Sequence, residues 1–388
     1  RTVLVLAERF RDWFAAGRSF KTITEARDLA AKALGHPIAA GTAEAKVVEE
    51  AIELGVVLEA HRIAQAPARR GQTPDDIYRA LVDLYGRQPN LSSRSSTSVE
   101  QQAYSTPIPI AYVAARQAGI DANTVAYEPT AGNGALLILT APGKAYANEL
   151  NDERASNLEA QGFAVTRRDA TDYLPKDKVD VVIANPPFGA VRESGGKSRI
   201  FQAPTKQAPG GSFPTTQIDH AIALHSLQAL KDKGRAVLIV GGPSEIATDR
   251  SEAYNSKQKR EFYLALYRDY NVVEHVTIAG DMYQRQGAGW PVDLIVIEGR
   301  GRSARPLPAV QPPRVIGSYD ELASLVEPVR LQPGSIDVGS GARPAGDGAR
   351  PVGPSGVSGG PSSVAAGPVG RPTGAAPQGG TGVSGAPR

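Results

Sequence analysis

Short, mainly apolar runs mark the middle of this chain, and the clearest of them extends from Val179 to Ala184. An apolar run of this length, bounded by turn residues, is typical of a strand buried in a parallel sheet. Similar runs occupy residues 124–127, 144–148, 163–168, 235–240, 272–278 and 291–297, and a helical segment covers 152–161. Strands that alternate with helices in this way predict an α/β fold.

The pattern on either side of this middle region is different. Residues 1–90 carry helix start and stop signals, such as the capping-box pattern that begins at Thr22. A Ser-rich stretch, 91–100, reads as a linker, and residues 331–388 are dominated by Gly, Pro, Ser and Ala. We therefore expect a helical N-terminal region, a linker, a sheet domain over 101–330, and a disordered Gly/Pro-rich tail that leads on to further sequence.

The amino-acid composition excludes several kinds of functional site. The 388 residues include no cysteine, which excludes disulfides, a thiolate nucleophile and Cys-based metal sites. The five histidines lack metal-binding spacing, so no metal is expected. A net charge of +3 permits nucleic-acid binding without requiring it. No apolar run approaches the roughly 20 residues of a membrane span, so we expect a soluble cytoplasmic protein, and the start at Arg1 suggests a fragment.

The candidate chemistry is concentrated in Asn185-Pro186-Pro187-Phe188, directly after the strand 179–184. Ligands of open α/β sheets bind at the carboxyl ends of the strands. Proline has no N–H, so a carbonyl of this turn is left to accept a hydrogen bond from elsewhere. An amide oxygen, a carbonyl and a ring face together suit a planar group that bears an NH₂. The alternative is a proline turn that carries a core phenylalanine.

A second motif, Glu128 to Gly134, follows the predicted strand 124–127. Its glycines let the backbone turn tightly and approach a ligand before a helix starts. Glu128 can meet an ammonium group, and Glu149, at the end of the next strand, can bind ribose hydroxyls. The motif lacks the Lys-Ser/Thr of a P-loop. A dinucleotide dehydrogenase also uses such a turn, but it leaves the Asn-Pro-Pro-Phe segment unexplained.

A third motif, Tyr104 to Pro107, precedes a predicted helix at 108–118. Thr106 can cap that helix, and Pro107 can occupy its first position. The exposed N–H groups and hydroxyls also suit the carboxylate of a bound amino acid. A cap without any ligand is the alternative.

Asn-Pro-Pro-Phe resembles the catalytic tetrad of S-adenosylmethionine-dependent amino-group methyltransferases, most closely the DNA adenine-N6 branch. The order of the three motifs is similar to the gamma arrangement of that family. The resemblance implies a class I, Rossmann-like fold with a seven-stranded mixed sheet, closed by a hairpin of the last two strands. It implies that the cofactor S-adenosylmethionine is bound by Tyr104, Ser105, Thr106, Pro107, Glu128, Pro129, Thr130, Gly132, Gly134, Glu149 and Asp169.

The resemblance also implies the reaction, methylation of adenine N6 in DNA, with Asn185, Pro186, Pro187 and Phe188 as the catalytic residues. The Asn185 side chain and the Pro186 carbonyl would accept the two amino hydrogens, and Phe188 would stack on the base. A target base in a duplex would have to leave the stack. The alternatives are an RNA guanine-N2 or a protein glutamine-amide methyltransferase, or a module that binds cofactor or DNA without turnover.

Residues 189–215 read as a long irregular segment that leaves the catalytic edge. We expect a lid over the target base, with Arg192, Lys197, Arg199 and Lys206 available for DNA phosphates; a solvated insertion is the alternative. Thr216 is expected to cap the next helix, with Asp219 as a capping group. A narrower resemblance, to methylases that precede strawberry-notch-type helicases, implies a fused or associated helicase as partner, although this chain shows no helicase motif.

Overall fold

The computed structural model describes residues 2–65, 71–91, 105–244 and 246–329. Tyr104, nearly all of the predicted linker and the predicted tail lie outside these ranges. The helices are α1 (Thr2–Ala15), α2 (Ile23–Leu34), α3 (Ala43–Gln65), α4 (Pro74–Arg87), α5 (Ile108–Gln117), α6 (Asp152–Ala160), α7 (Ile218–Ser226), α8 (Arg250–Tyr254), α9 (Lys257–Asp269) and α10 (Tyr319–Leu322). The strands are β1 (Ala126–Glu128), β2 (Ala145–Asn148), β3 (Ala164–Thr166), β4 (Val179–Ala184), β5 (Phe201–Pro204), β6 (Ser212–Thr215), β7 (Leu230–Gly241), β8 (Tyr270–Ile278), β9 (Val292–Arg300) and β10 (Arg314–Ile316).

The main sheet has the order β10-β8-β9-β7-β4-β1-β2-β3. Its strands are parallel except β9, which lies antiparallel between β7 and β8. The predicted α/β class and the closing strand pair are therefore confirmed. The predicted count of seven was wrong, because β10 adds an eighth strand beside β8 in the described ranges. This strand has three residues and follows two prolines, so it lacks the apolar run that would predict a strand from the sequence.

The connections between strands β1 to β4 determine where a ligand site is expected. From β1 the chain proceeds outward through β2 to β3, and then returns to β4 on the other side of β1. The carboxyl ends of β1 and β4 therefore lie side by side where the strand order reverses, which is the usual ligand position in such sheets. Val179–Ala184 is almost wholly buried, as expected for a central strand.

The N-terminal helices share a hydrophobic core with one face of the sheet. A single buried cluster runs from Val3 and Phe10 of α1, through α3 and α5, to Val181 of β4. Helices α1 and α3 approach closely because Gly55 has no side chain, since a Cβ there would lie 2.8 Å from Phe10 Cβ. The predicted helical character of this region is confirmed, and the Thr22 side chain accepts from the Glu25 N–H at the start of α2 as predicted. Its division from the sheet domain as a separate unit remains a prediction.

Three local predictions were wrong. The glycine turn leads into a single 3₁₀ turn, Ala135–Leu137, and not into an α-helix, because Pro142 and Gly143 follow before a helix of useful length can form. Residues 201–215 are not irregular, since β5 and β6 form an antiparallel hairpin that buries Phe201 and Phe213. Thr216 does not cap a helix, because α7 begins later, at Ile218.

Among the described residues, no helix is both long and apolar enough to cross a membrane.

Candidate active site

A cavity of about 230 Å³ opens at the carboxyl ends of β1, β2 and β4. It is lined by residues of all three sequence motifs and by the candidates Glu149, Asp169 and Arg199. The motif residues are Ser105, Thr106, Glu128, Pro129, Thr130, Gly132, Asn185 and Pro187. The described candidates that do not line it are Pro107, Gly134, Pro186, Phe188, Arg192, Lys197 and Lys206. Segments far apart in sequence therefore converge on one pocket, as the parallel strand order requires.

Asn185 begins the turn that follows β4, and its side chain is oriented by a residue of the first motif. The Asn185 Nδ2 group donates to Thr106 Oγ1 at 2.8 Å, and Thr130 Oγ1 donates to the Asn185 carbonyl at 3.4 Å. The expected helix cap by Thr106 was wrong, because α5 starts after Pro107 without a side-chain cap. The Thr106 hydroxyl instead fixes the amide of Asn185.

The glycine turn is held by the ends of the neighbouring strands. Gly132 and Gly134 adopt positive φ values of 54° and 90°, which favour glycine. The Gly132 N–H donates to Glu149 Oε2 at 2.8 Å, and the Asn151 N–H donates to Glu149 Oε1 at 2.8 Å. Each carboxylate oxygen keeps further lone pairs for hydroxyl donors. The Glu149 carboxylate thus shapes the turn and also lines the cavity.

Glu128 is a buried carboxyl group at the end of β1 and lines the same cavity. Its Oε2 atom has no hydrogen-bond partner among the described residues. Burial raises the pKa of Glu128 well above its usual range, and the nearby Glu149 carboxylate raises it further. A buried acid in this state gains most from a cationic partner. The site therefore fits a group such as the ammonium of S-adenosylmethionine.

Asp169 follows β3 and forms a turn with Thr171. Its Oδ1 accepts from the Thr171 N–H at 2.9 Å and from the Thr171 hydroxyl at 2.7 Å. Burial alone would raise the pKa of Asp169, but these hydrogen bonds and the Arg199 guanidinium lower it. Arg199 lies 3.5 Å from Asp169 Oδ2 and stacks over Phe201. Asp169 is thus both a turn residue and part of the cavity wall.

The residues that sequence analysis missed come mainly from helix α3. Arg154 of α6 donates to both carboxylate oxygens of Glu50, at 2.8 and 3.1 Å, and lies 3.7 Å from Glu53. Ser105 Oγ donates to Glu53 Oε2, and Asn133 Nδ2 donates to Glu50 Oε1 at 2.7 Å. No candidate site residue was predicted in 1–90. Acidic residues on the buried, otherwise apolar middle of α3 were the available signal.

Asp219 does not act as the predicted capping group. It is buried, and its Oδ2 accepts from the Gly241 N–H at 3.0 Å, while Oδ1 accepts from the Gly189 N–H at 3.4 Å. Gly189 directly follows Phe188, and a Cβ at Gly241 would lie 3.7 Å from Phe188 Cβ. The Asp219 carboxylate thus ties the end of β7 to the turn that presents the aromatic ring.

The four predicted phosphate contacts do not form one cluster. Arg192 and Lys197 belong to the exposed loop after β4, where Arg192 donates to the Gly196 carbonyl. Lys206 lies in the turn of the β5–β6 hairpin, and its N–H donates to Asp269 at the end of α9. Helix α9 leads directly into the start of β8. The end of α9 therefore lies at the amino ends of the parallel strands, opposite the cavity at their carboxyl ends. The structure thus separates Lys206 from the other three.

Comparisons with known proteins agree with this arrangement. A family model described as N-6 DNA Methylase matches residues 151–244 of the 388, a range that contains β4 and the Asn-Pro-Pro-Phe segment. Comparison with curated protein sequences gave no match.

Solved structures resemble the chain only distantly. They include a modification subunit of a putative type I restriction enzyme from Vibrio vulnificus (12% identity, 67% of this chain and 54% of that one, TM-score 0.38). A putative class I S-adenosylmethionine-dependent methyltransferase from Listeria monocytogenes has 12% identity, covering 72% and 92% of the two chains, with a TM-score of 0.38. A putative RNA methyltransferase from Pyrococcus horikoshii has 19% identity, covering 57% and 98%, with a TM-score of 0.36. The chain spans about half the length of the Vibrio subunit.

The strand order and the glycine turn beside an acidic strand end agree with the α/β fold and the ligand-binding edge that the sequence predicts. Residues 151–244 are similar to the N-6 DNA methylases. This similarity supports the function class expected from the sequence, methyl transfer to the N6 amino group of adenine in DNA. The roles of individual residues remain predictions.

Proposed function

We propose that this chain transfers the methyl group of S-adenosylmethionine to the exocyclic N6 of adenine in DNA, and that Asn185, Pro186, Pro187 and Phe188 form the catalytic segment. The observation that carries this proposal is the position of Asn185 at the end of β4, with its amide held by Thr106 at 2.8 Å beside the cavity. When bound, the cofactor supplies a methyl group that is activated by its sulfonium.

The chain's own residues act on the amino group of the base. The lone pair of that nitrogen is conjugated with the ring, so the nitrogen is a poor nucleophile. The Asn185 side-chain oxygen and the Pro186 carbonyl accept its two hydrogens, and this makes the nitrogen more pyramidal. Phe188, half-buried beside Gly241, holds the plane of the base by stacking. The nitrogen becomes cationic when it gains the methyl group, and it then loses one proton to water. Catalysis is therefore positioning and electrostatic stabilisation, and no strong base is required.

Three acidic residues are assigned to the cofactor. Glu128 receives its ammonium group, Glu149 its ribose hydroxyls and Asp169 its adenine amino group. All three line the same cavity, and each follows or ends one of three adjacent strands, β1, β2 and β3. The remaining members of the predicted set, from Ser105 to Gly134, shape the backbone between these acids.

The DNA substrate is proposed to approach the carboxyl edge of the sheet with the target base out of the stack. Arg192, Lys197 and Arg199 follow β4 on that side and are assigned to phosphate contacts. Of the four predicted phosphate contacts, Lys206 has the least support, because it lies beside Asp269 on the side of the sheet opposite the cavity. We further propose cytoplasmic action and a fused or associated helicase as partner, both of which rest on the family resemblance.

The test is mass spectrometry of nucleosides from a host that lacks adenine methylases of its own. Cells that express the chain should contain N6-methyladenine in plasmid DNA. Cells that express Asn185→Ala should show a loss of about 10²–10³-fold, the range for removing one group that stabilises a transition state. Methylated guanine in RNA, with no change in DNA, would instead assign the RNA reaction. An equal rate for Asn185→Ala would remove Asn185 from the mechanism.

A further inference from the structure

We propose that helix α3 of the N-terminal region completes the cofactor site, and that Glu53 and Arg154 are the positioning residues that join it to the other walls. This inference rests on the proposed function, since it concerns the cofactor of that same reaction. It gives a role to a region in which the sequence analysis placed no candidate site residue.

The first step is the position of α3. Glu53, Val56 and Val57, one turn of this helix, line the cavity together with Ser105 and Glu149. The helix therefore forms part of the wall. The same helix is buried along its middle and packs against α1 through Gly55, so its place is fixed by the N-terminal core.

The second step is the chain of contacts that leaves α3. Glu53 accepts from the Ser105 hydroxyl, next to Thr106, which holds Asn185. Glu50 accepts from Arg154 and also from Asn133 of the glycine turn. One helix face thus fixes the segment before α5, the glycine turn and the start of α6.

The third step is the charge balance. The side chains of Arg154 and Glu53 are only 11% and 5% exposed, so water screens their charges poorly. Burial alone would lower the pKa of Arg154, but Glu50, Glu53 and Glu149 raise it, so the guanidinium remains charged. Removing one member of such a buried set disturbs the balance of charge among the others. The cluster therefore holds its geometry firmly, as a wall against a small-molecule ligand requires.

The fourth step concerns what the wall does for the cofactor. Glu53 acts through Ser105, and Arg154 acts through Glu50 and Asn133, so neither needs to touch the reacting methyl group. Loss of either should weaken the binding of S-adenosylmethionine and of S-adenosylhomocysteine by the same factor, since the two differ only at the sulfur. The KM for S-adenosylmethionine should rise while kcat changes little, the signature of lost uniform binding.

The test is isothermal titration of the full chain with S-adenosylhomocysteine. Glu53→Ala and Arg154→Met should each raise Kd about tenfold or more, since each removes a charge-assisted contact. Glu53→Gln keeps an acceptor for the Ser105 hydroxyl and should recover part of the loss. The matched control is Glu44→Gln, at the exposed start of the same helix, where Glu44 pairs with His36. It should bind as the wild type does.

Two further measurements distinguish a failure of this inference from a failure of the proposed function. If Glu53→Ala does not fold, as judged by urea unfolding, Ser105→Ala removes the same hydrogen bond with a smaller change and should raise Kd in its place. Folded Glu53→Ala or Ser105→Ala with a Kd within twofold of wild type would overturn the inference and leave the proposed function intact. A wild type that binds S-adenosylhomocysteine but forms no N6-methyladenine would overturn the proposed reaction, while the binding data would still decide the role of α3.

Discussion

The side chains of Asn185 and Thr106 are joined by a hydrogen bond of 2.8 Å, with the Asn185 Nδ2 group as donor and the Thr106 hydroxyl as acceptor. The two residues lie 79 positions apart in the sequence, and Thr106 is 5% exposed. An amide that donates on one side has its oxygen directed by that bond. The segment before α5 therefore takes part in orienting the proposed catalytic amide.

The first prediction follows from this bond. Thr106→Val removes the acceptor with almost no change in shape, so the Asn185 amide can rotate between its two orientations. We expect kcat to fall about tenfold, the scale of one lost hydrogen bond. Steady-state methylation of an adenine-containing duplex, with titration of S-adenosylhomocysteine in parallel, separates turnover from binding.

The control for this prediction is Thr140→Val. Thr140 is also buried, but it lies outside the cavity, and its hydroxyl has no partner among the described residues. Turnover of this variant should match that of the wild type. A Thr106→Val protein with unchanged kcat would show that Asn185 does not depend on the hydroxyl.

The second prediction concerns the buried carboxyl of Glu128. Its pKa is raised in the folded protein, so its stabilising contribution is present below the unfolded pKa of about 4.3 and is lost as the pH rises. Glu128→Gln does not titrate, so at pH 7 it should be more stable than the wild type by about 1–2 kcal/mol. The same change should weaken S-adenosylhomocysteine binding about tenfold, since no charge remains for the ammonium group.

Urea unfolding of the ligand-free protein between about pH 4 and pH 8 tests the stability half of this prediction. The gap between variant and wild type should widen as the pH rises. Glu153→Gln, at an exposed position on α6, serves as the control and should show no such gap. If Glu128→Gln were less stable than the wild type at pH 7, the burial argument would be wrong.

The third prediction concerns Asp219, which accepts from the N–H groups of Gly241 and Gly189. Asp219→Ala leaves both donors without this partner and frees the turn after Phe188. We expect kcat to fall about tenfold or more, because the ring that positions the base loses its support. Cofactor affinity should change little, since Asp219 does not line the cavity.

A graded variant sharpens this test. Asp219→Asn keeps one oxygen that can accept from Gly241, so its loss of turnover should lie between those of wild type and Asp219→Ala. Stopped-flow or steady-state methylation assays report kcat, and titration reports the cofactor Kd. Equal kcat for all three proteins would mean that the turn is held in another way.

The sequence was sufficient to predict the secondary-structure elements that are determined by neighbouring residues. The predicted limits of the strand Val179–Ala184 agree with the structure, because a six-residue run rich in β-branched residues is too short for a helix. Once the strand order is known, the meeting of the motifs at one edge follows from the rules for parallel sheets.

Long-range contacts were not predictable in the same way. The bond between Ser105 and Glu53 joins segments 52 residues apart, and it depends on how the N-terminal helices pack. The same limit applies to Asp219, whose local sequence matched a helix cap while its carboxylate reached Gly241 on another strand. Residues 201–215 were expected to be irregular, and this was wrong because they pair as a hairpin, with Phe201 opposite Thr215 and Ala203 opposite Phe213.

The last prediction concerns Asp293 at the start of β9, a fully buried carboxylate beside the end of β7. It accepts from the hydroxyls of Thr277, Tyr254 and Tyr263, at 2.7, 2.9 and 2.5 Å, and His275 Nε2 lies 3.3 Å away. Burial alone would raise the pKa of Asp293, but His275 and these donors lower it to about 2. The ionised carboxylate thus organises three hydroxyl groups in the core.

The direction of the pH dependence follows from this shift. A carboxylate with a depressed pKa stabilises the fold above its unfolded pKa of about 3.9, and the contribution is lost as the pH falls towards 2. Asp293→Asn should therefore lower the free energy of unfolding by about 3 kcal/mol at pH 6, and the difference should shrink below about pH 4. Urea unfolding across this range measures it. Asp232→Asn, whose side chain is 93% exposed beside Arg300, should stay within about 0.5 kcal/mol of wild type. A difference for Asp293→Asn that did not depend on pH would assign its effect to packing alone.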